Sequence, residues 1–290
     1  MNYRHEYHAG NAADVLKHVV LLLLLRRLQQ KPAPLTYIET HAGRGRYELR
    51  HEAAQKTGEF LRGIARLWER RGAADLPPAL ADYLAVVASL NPGDELAVYP
   101  GSPRLARAAL RPDDRMIVCE LHPAEAAALR DEFRGDPQVA VHKRDGYEAL
   151  SALLPPTPRR GLVLIDPPYE RPDEFAAALA GLQLGARKWP QACYALWYPI
   201  KGVASSLLHA ATLRAGLREV LCVELRTRDD RDPAVMSGSG LLLVDPPWQI
   251  DQAIGAVMPT LARLLQDDPA ASASASASAR ARVEWLVGPR

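Results

Sequence analysis

Gly161-Leu162-Val163-Leu164-Ile165-Asp166-Pro167-Pro168-Tyr169 is a five-residue apolar run that stops on an acid, two prolines and an aromatic ring. Its length and its bulky aliphatic composition read as a strand buried on both faces, and Asp-Pro-Pro ends it. Working outward, further apolar runs lie at 35–39, 116–119, 139–141, 194–197, 220–225 and 241–244, alternating with Ala/Leu-rich helical segments. That alternation predicts βαβ units, and so a doubly wound α/β fold on a mostly parallel, seven-stranded sheet. In such a sheet a ligand lies beyond the carboxyl ends of the strands, where Asp166 stands.

The tetrapeptide itself suits methylation of an exocyclic amine. The amino group of adenine is a poor nucleophile because its lone pair is drawn into the ring. The Asp166 carboxylate and the Pro167 carbonyl can both accept hydrogen bonds from that amine and turn its lone pair toward an electrophilic methyl. Two prolines fix φ and offer no competing donor. Tyr169 offers a ring on which a base swung out of its stack can rest. The same residues also read as a plain strand end, and Asp245-Pro246-Pro247-Trp248 repeats them after 241–244. One chain needs one such centre, so at least one copy is expected to be structural.

Composition bounds the rest. The 290 residues can bury a substantial core as one domain, 1–290, and the 48% hydrophobic and 24% charged fractions are those of a soluble globular protein. A net charge of +2 excludes a polycationic binder, although Arg44, Arg46 and Arg50, or Arg226, Arg228 and Arg231, form local basic clusters. Cys119, Cys193 and Cys222 are widely spaced in apolar runs, with no disulfide framework and no zinc spacing, which favours a reducing, cytoplasmic setting. The apolar run at 19–25 is far short of the roughly 20 residues that span a bilayer. It reads as part of a buried helix at 12–30, and no membrane partner is expected.

Residues 48–97 interrupt the alternation with helical stretches at 54–70 and 79–90, which predicts a small helical insertion. Alternating Ala and Ser make 270–280 a low-complexity linker, after which 283–287 is expected to return as an antiparallel edge strand. Three strand ends carry groups suited to a nucleoside cofactor: His41-Ala42-Gly43-Arg44-Gly45, Glu120 for ribose hydroxyls, and Asp145-Gly146 for an adenine edge. Singly each is a common turn or strand end; their order along the chain carries the information. A dinucleotide fingerprint would need a third glycine where Glu48 stands, so the pattern fits S-adenosylmethionine better than NAD. The N-terminal run from Tyr3 to Asn11 holds aromatics and histidines able to contact a nucleotide. His5, His8 and His18 lack partners at ligand spacing, and no metal is expected.

Taken together, Tyr3-Arg4-His5, His8-Ala9-Gly10-Asn11, Asp14-Val15-Leu16-Lys17-His18, Thr40-His41-Ala42-Gly43-x-Gly45-Arg46-Tyr47, Tyr99-Pro100-Gly101-Ser102-Pro103, Glu120-Leu121-His122-Pro123, Asp145-Gly146 and Asp166-Pro167-Pro168-Tyr169-Glu170 resemble the 23S ribosomal RNA adenine-N6 methyltransferases of the RlmJ type. The resemblance runs from residue 3 to about 265. It implies a class I S-adenosylmethionine-dependent methyltransferase with a helical insertion. It also implies that His18, His41, Ser102, Glu120, Asp145, Gly146 and Asp166 contact S-adenosylmethionine, and that Asp166, with Pro167 and Tyr169, is catalytic. Tyr3 matches a position that touches the RNA, with His5 and Lys17 beside it in the same motif. In that family Asn precedes the later Pro-Pro-Trp, so Asp245 departs from the pattern and is expected to be structural. The expected partner is 23S ribosomal RNA, deproteinised or in an early assembly intermediate, met by a monomer. A DNA adenine, a protein glutamine, or RNA binding without catalysis remain the competing readings.

Overall fold

The computed structural model describes residues 4–229, 232–266 and 280–289. In chain order the first half holds α1 (Ala12–Leu28), β1 (Thr36–Glu39), β2 (Arg46–Glu48), α2 (Glu52–Thr57), α3 (Ile64–Trp68), α4 (Pro78–Ser89), β3 (Val98–Pro100), α5 (Ser102–Ala109), β4 (Arg115–Glu120) and α6 (Pro123–Glu132). The second half holds β5 (Val139–Lys143), α7 (Gly146–Leu153), β6 (Gly161–Ile165), α8 (Glu174–Lys188), β7 (Ala192–Ile200), α9 (Ala204–Arg214), β8 (Val220–Arg226), β9 (Gly238–Val244), α10 (Ile250–Leu264) and β10 (Ala281–Val287).

The main sheet has eight strands in the order β10-β8-β9-β7-β6-β1-β4-β5, one more than the seven expected. The eighth is β10, at the place where an antiparallel edge strand was expected over 283–287; it pairs antiparallel with β8 and is itself half-buried. From β5 to β7 the strands are parallel, while β9 runs antiparallel to both β7 and β8. β6 is buried at all five positions, as its unbroken apolar run requires of a central parallel strand. A separate ribbon of β2 and β3 was not expected. Each strand is three residues long, too short to show a two-residue period in sequence. Between them lie the helices α2 to α4.

One face of the sheet is covered by α1, α5 and α10, and the other by α7, α8 and α9. α1 is apolar nearly all round and buried at eleven positions, which explains why its seven-residue aliphatic run sits inside the fold. Asn11 starts it, its side chain accepting a hydrogen bond from the Asp14 amide at 2.9 Å. No helix among the described residues is long and apolar enough to cross a membrane.

The strand directions separate the two Asp-Pro-Pro corners. Asp166 follows β6 at the carboxyl end of the parallel strands. Asp245 follows β9, whose last residue Val244 lies opposite Tyr194 near the start of β7, so it emerges at the other end of the sheet. There its amide donates to the Glu219 carbonyl at 3.1 Å, and Arg27 near the end of α1 donates to the Trp248 carbonyl at 2.6 Å.

Candidate functional site

Beyond the carboxyl ends of β1, β4 and β6 lies a cleft of about 380 Å³ whose walls also include residues of α1. Its volume is within the range of small-ligand sites. The strand order places β1 between β4 and β6, so chain connections leave it in both directions, and this divergence opens the crevice.

Asp166 is the centre of a buried charge network. Lys17 Nζ donates to Asp166 Oδ2 at 2.6 Å and lies 2.9 Å from Asp14 Oδ1, while Asp14 Oδ2 meets His5 Nε2 at 2.9 Å and accepts from the Gly10 amide at 3.0 Å. Burial opposes charge on Lys17, but Asp14 and Asp166 outweigh it and hold the ammonium well above its usual pKa. Burial likewise opposes charge on Asp14, and His5 and Lys17 overcome it and hold that carboxyl well below the usual range. Among the described residues Asp166 Oδ1 accepts no hydrogen bond, and it is the free oxygen of the pair.

Aromatic groups wall the same corner. Tyr169 sits at φ 52°, a left-handed conformation uncommon for a non-glycine residue, and its hydroxyl donates to the Trp197 carbonyl at 2.8 Å. Its ring packs against Phe175 and Trp197. Lys17 Nζ lies 5.9 Å from the centre of the Trp197 ring. Trp197 Nε1 is buried and, among the described residues, has no hydrogen-bond partner.

On the other side of the cleft, Glu120 accepts from the Gly43 amide at 2.8 Å through one oxygen and from the His122 amide at 2.7 Å through the other. Burial raises its pKa above the ordinary value. Gly43 has φ 61°, and an added Cβ there would lie 2.3 Å from the Tyr47 hydroxyl, so a glycine is required at this bend. His18 is buried against Tyr99, whose hydroxyl lies 2.8 Å from Nδ1, and burial drives its pKa down to about 3. His41 is also pushed below its ordinary value by burial. Both imidazoles are therefore uncharged near neutral pH. Ser102, at the start of α5, donates to Glu39 Oε1 at 2.5 Å.

The structure thus brings His5, Lys17, His18, His41, Ser102, Glu120, Asp166, Pro167 and Tyr169 to one cleft. Asp145 and Gly146 are not among its lining residues. Asp145 instead caps α7, accepting from the amides of Tyr147 at 2.8 Å and Glu148 at 3.1 Å. A Cβ on Gly146 would lie 2.3 Å from the Thr40 carbonyl oxygen, so this glycine lets α7 approach the end of β1. Tyr3 lies outside the described residues.

Comparison with known proteins places this geometry. Residues 32–287 match the family described as Ribosomal RNA large subunit methyltransferase D, RlmJ. The chain belongs to this family. Ribosomal RNA large subunit methyltransferase J from Escherichia coli (strain K12) is 43% identical over 263 residues, covering 90% of this chain and 92% of that one. The protein of the same name from Haemophilus influenzae is 38% identical over 295 residues, covering 99% of each. A crystal structure of a protein from Legionella pneumophila superposes with a TM-score of 0.85 at 32% identity, covering 98% of this chain and 99% of that one.

Two groups of this RlmJ family member were not singled out from sequence: Asp14, in the cleft wall, and Glu39, buried behind Ser102. Asp14 stands one turn before Lys17 on α1, a spacing that places both on one helix face and was the available signal. Glu39 closes an otherwise uncharged four-residue strand, yet it is fully buried, accepting from Tyr37 at 2.8 Å as well as from Ser102. Burial raises its carboxyl to about 8. Nothing short of the three-dimensional packing would show that.

Proposed function

We propose that the protein transfers a methyl group from S-adenosylmethionine to the N6 amine of an adenine in 23S ribosomal RNA. The observation that carries the reading is the Asp166-Pro167-Pro168-Tyr169 corner, opening into the cleft with one carboxylate oxygen held by Lys17 and the other available. Family membership and the printed names of the relatives support the substrate class.

The donor set fits the cofactor. Glu120 stands at the end of β4 where it can receive ribose hydroxyls, and Gly43 brings backbone to the same side. His18 and His41 are uncharged, and the Lys17 charge is matched by Asp14 and Asp166, so the interior of the cleft does not repel a sulfonium. Ser102 adds a hydroxyl to the lining. When bound, S-adenosylmethionine supplies an electrophilic methyl whose sulfur loses its positive charge on transfer.

The chain's own residues then do the positioning. Asp166 Oδ1 and the Pro167 carbonyl accept the two N–H groups of the amine, leaving its lone pair directed into the cleft. Tyr169 and Trp197 form the aromatic wall for the base, with the Tyr169 hydroxyl tied down so that its ring does not swing. Lys17 fixes the carboxylate in place through its 2.6 Å hydrogen bond to Oδ2. As the new N–C bond forms, the amine loses a proton, and Asp166 is its first acceptor. Orientation of this kind is worth on the order of 7 kcal/mol or more of barrier. Tyr3, His5 and Lys17 are the proposed RNA-contacting residues, Lys17 acting from within the cleft through Asp166, and Asp145 and Gly146 contribute to the cofactor side by setting where α7 begins.

The reading includes a monomer acting in the cytoplasm on deproteinised ribosomal RNA or an early assembly intermediate. Its test is methyl incorporation from labelled S-adenosylmethionine into deproteinised 23S RNA, assembled particles, duplex DNA and bulk protein, followed by nucleoside digestion. N6-methyladenine from the RNA is the predicted product. Label confined to DNA or protein, or RNA binding with no cofactor turnover, contradicts it.

A further inference from the structure

On the sheet face away from Trp197 and Pro199, three side chains from α9 and β8 converge. His209 Nε2 lies 3.7 Å from Cys222 Sγ and 3.4 Å from Glu224 Oε1, and the three donor atoms are all within 4.8 Å of one another. Zinc takes nitrogen at about 2.0–2.1 Å, sulfur at about 2.3 Å and oxygen at about 2.0–2.2 Å, so a tetrahedral site has N···S edges of about 3.5 Å and N···O edges of about 3.4 Å. The observed edges match both. Tyr198 Oη lies 2.8 Å from His209 Nε2, 3.4 Å from Cys222 Sγ and 2.9 Å from Glu224 Oε1, hydrogen-bonding distances that hold the three groups together. We infer that His209, Cys222 and Glu224 form a three-residue zinc site on the sheet face away from the cleft.

The strand register explains why these groups meet. Cys222 and Glu224 are two residues apart and share a face of β8. Tyr198 of β7 is opposite Gly240 of β9, which is opposite Glu224 of β8, so the three lie in one row across the sheet. A Cβ on Gly240 would lie 2.6 Å from the Tyr198 hydroxyl and 3.0 Å from Glu224 Cγ, so the glycine keeps the space open. Cys222 and Tyr198 are fully buried, and the half-buried His209 on α9 is the side from which an ion enters.

The charges close as well. Binding takes the proton from the Cys222 thiol and releases it to solvent, His209 binds through a deprotonated Nε2, and Glu224 binds as a carboxylate. One thiolate and one carboxylate neutralise the dication, which suits a buried position. Because the thiol must lose its proton to bind, affinity falls as pH drops. Arg282 lies 3.6 Å from Oε2 of Glu224, the oxygen turned away from the cluster, and also pairs with Glu284. Thiolate, imidazole and carboxylate together are a donor set for zinc, not for magnesium or calcium.

The test is a cobalt titration of metal-free, tag-free full-length protein. One equivalent is expected to give thiolate-to-cobalt charge transfer and the intense visible bands of tetrahedral cobalt, displaced by zinc. Cys222→Ser should abolish the charge-transfer band, and His209→Gln should weaken binding at least about tenfold while circular dichroism and methyl transfer stay as in the wild type. His209→Gln alters a half-buried helix position, so it reports even if the buried Cys222→Ser variant misfolds. Absence of the thiolate band in the wild type, or binding unchanged in His209→Gln, overturns the assignment and leaves a hydrogen-bonded cluster only.

Discussion

Lys17 and Asp14 settle the surroundings of Asp166. Lys17 is buried between two carboxylates, and removing one member of such a set leaves the others without compensation in a dry interior. Lys17→Met is expected to destabilise the fold by about 3 kcal/mol or more, read from urea unfolding midpoints. A substitution with no effect on stability would mean that water reaches the pair. Glu39 gives a pH signature. Folding raises its pKa to about 8, so across the range from ordinary carboxylate values to about 8 the folded protein keeps a proton that the unfolded chain has released. Its contribution to stability therefore falls as pH rises through that window, by up to about 1.4 kcal/mol per pH unit. Glu39→Gln is expected to remove that slope, so the variant gains on the wild type between pH 5 and pH 8 in unfolding experiments ~ as the carboxylate would have charged. Parallel curves for the two proteins would contradict the burial argument. The sequence made Asp166, Pro167 and Tyr169 legible because a motif and a strand end coincide there. Glu39 was not legible, since a carboxylate buried by packing has no local pattern.

At the scale of elements, α7 shows how a site residue and a structural one become hard to separate in sequence. Asp145-Gly146 reads equally as a cofactor-contacting pair and as a turn. The structure puts the Asp145 side chain on the amides that start α7 and Gly146 against the Thr40 carbonyl. Asp145→Ala is expected to cost about 1 kcal/mol in stability through loss of the cap. It should also raise the KM for S-adenosylmethionine more than it lowers kcat, because α7 packs at the end of β1 beside the cleft. A stability loss with unchanged KM would confine Asp145 to capping. The strands carried their own signal: the apolar runs were visible as β1 and β4 to β9. The three-residue strands β2 and β3 were not, because three residues cannot display a period and their pairing depends on chain folded back across α2 to α4.

For the whole molecule, the antiparallel direction of β9 decides which Asp-Pro-Pro lies at the cleft. α1 has 17 residues, and at about 1.5 Å per residue it runs about 25 Å. It carries Lys17 at the Asp166 corner and Arg27 at the Asp245 corner. Burial raises the Asp245 carboxyl above its ordinary value, and among the described residues it makes no salt bridge. Asp245→Asn is expected to leave methyl transfer within about twofold of wild type, a change below 0.5 kcal/mol in barrier. The two tetrapeptides look alike residue by residue and only the family resemblance told them apart in sequence; strand direction, a property of the assembled sheet, separates them physically. The most direct measurement is N6-methyladenine formation in 23S RNA by Asp166→Ala, with folding checked by circular dichroism and thermal unfolding. A folded variant with transfer reduced by on the order of a thousandfold or more is the predicted result. A folded variant that methylates at the wild-type rate would show that the carboxylate does not hold the amine.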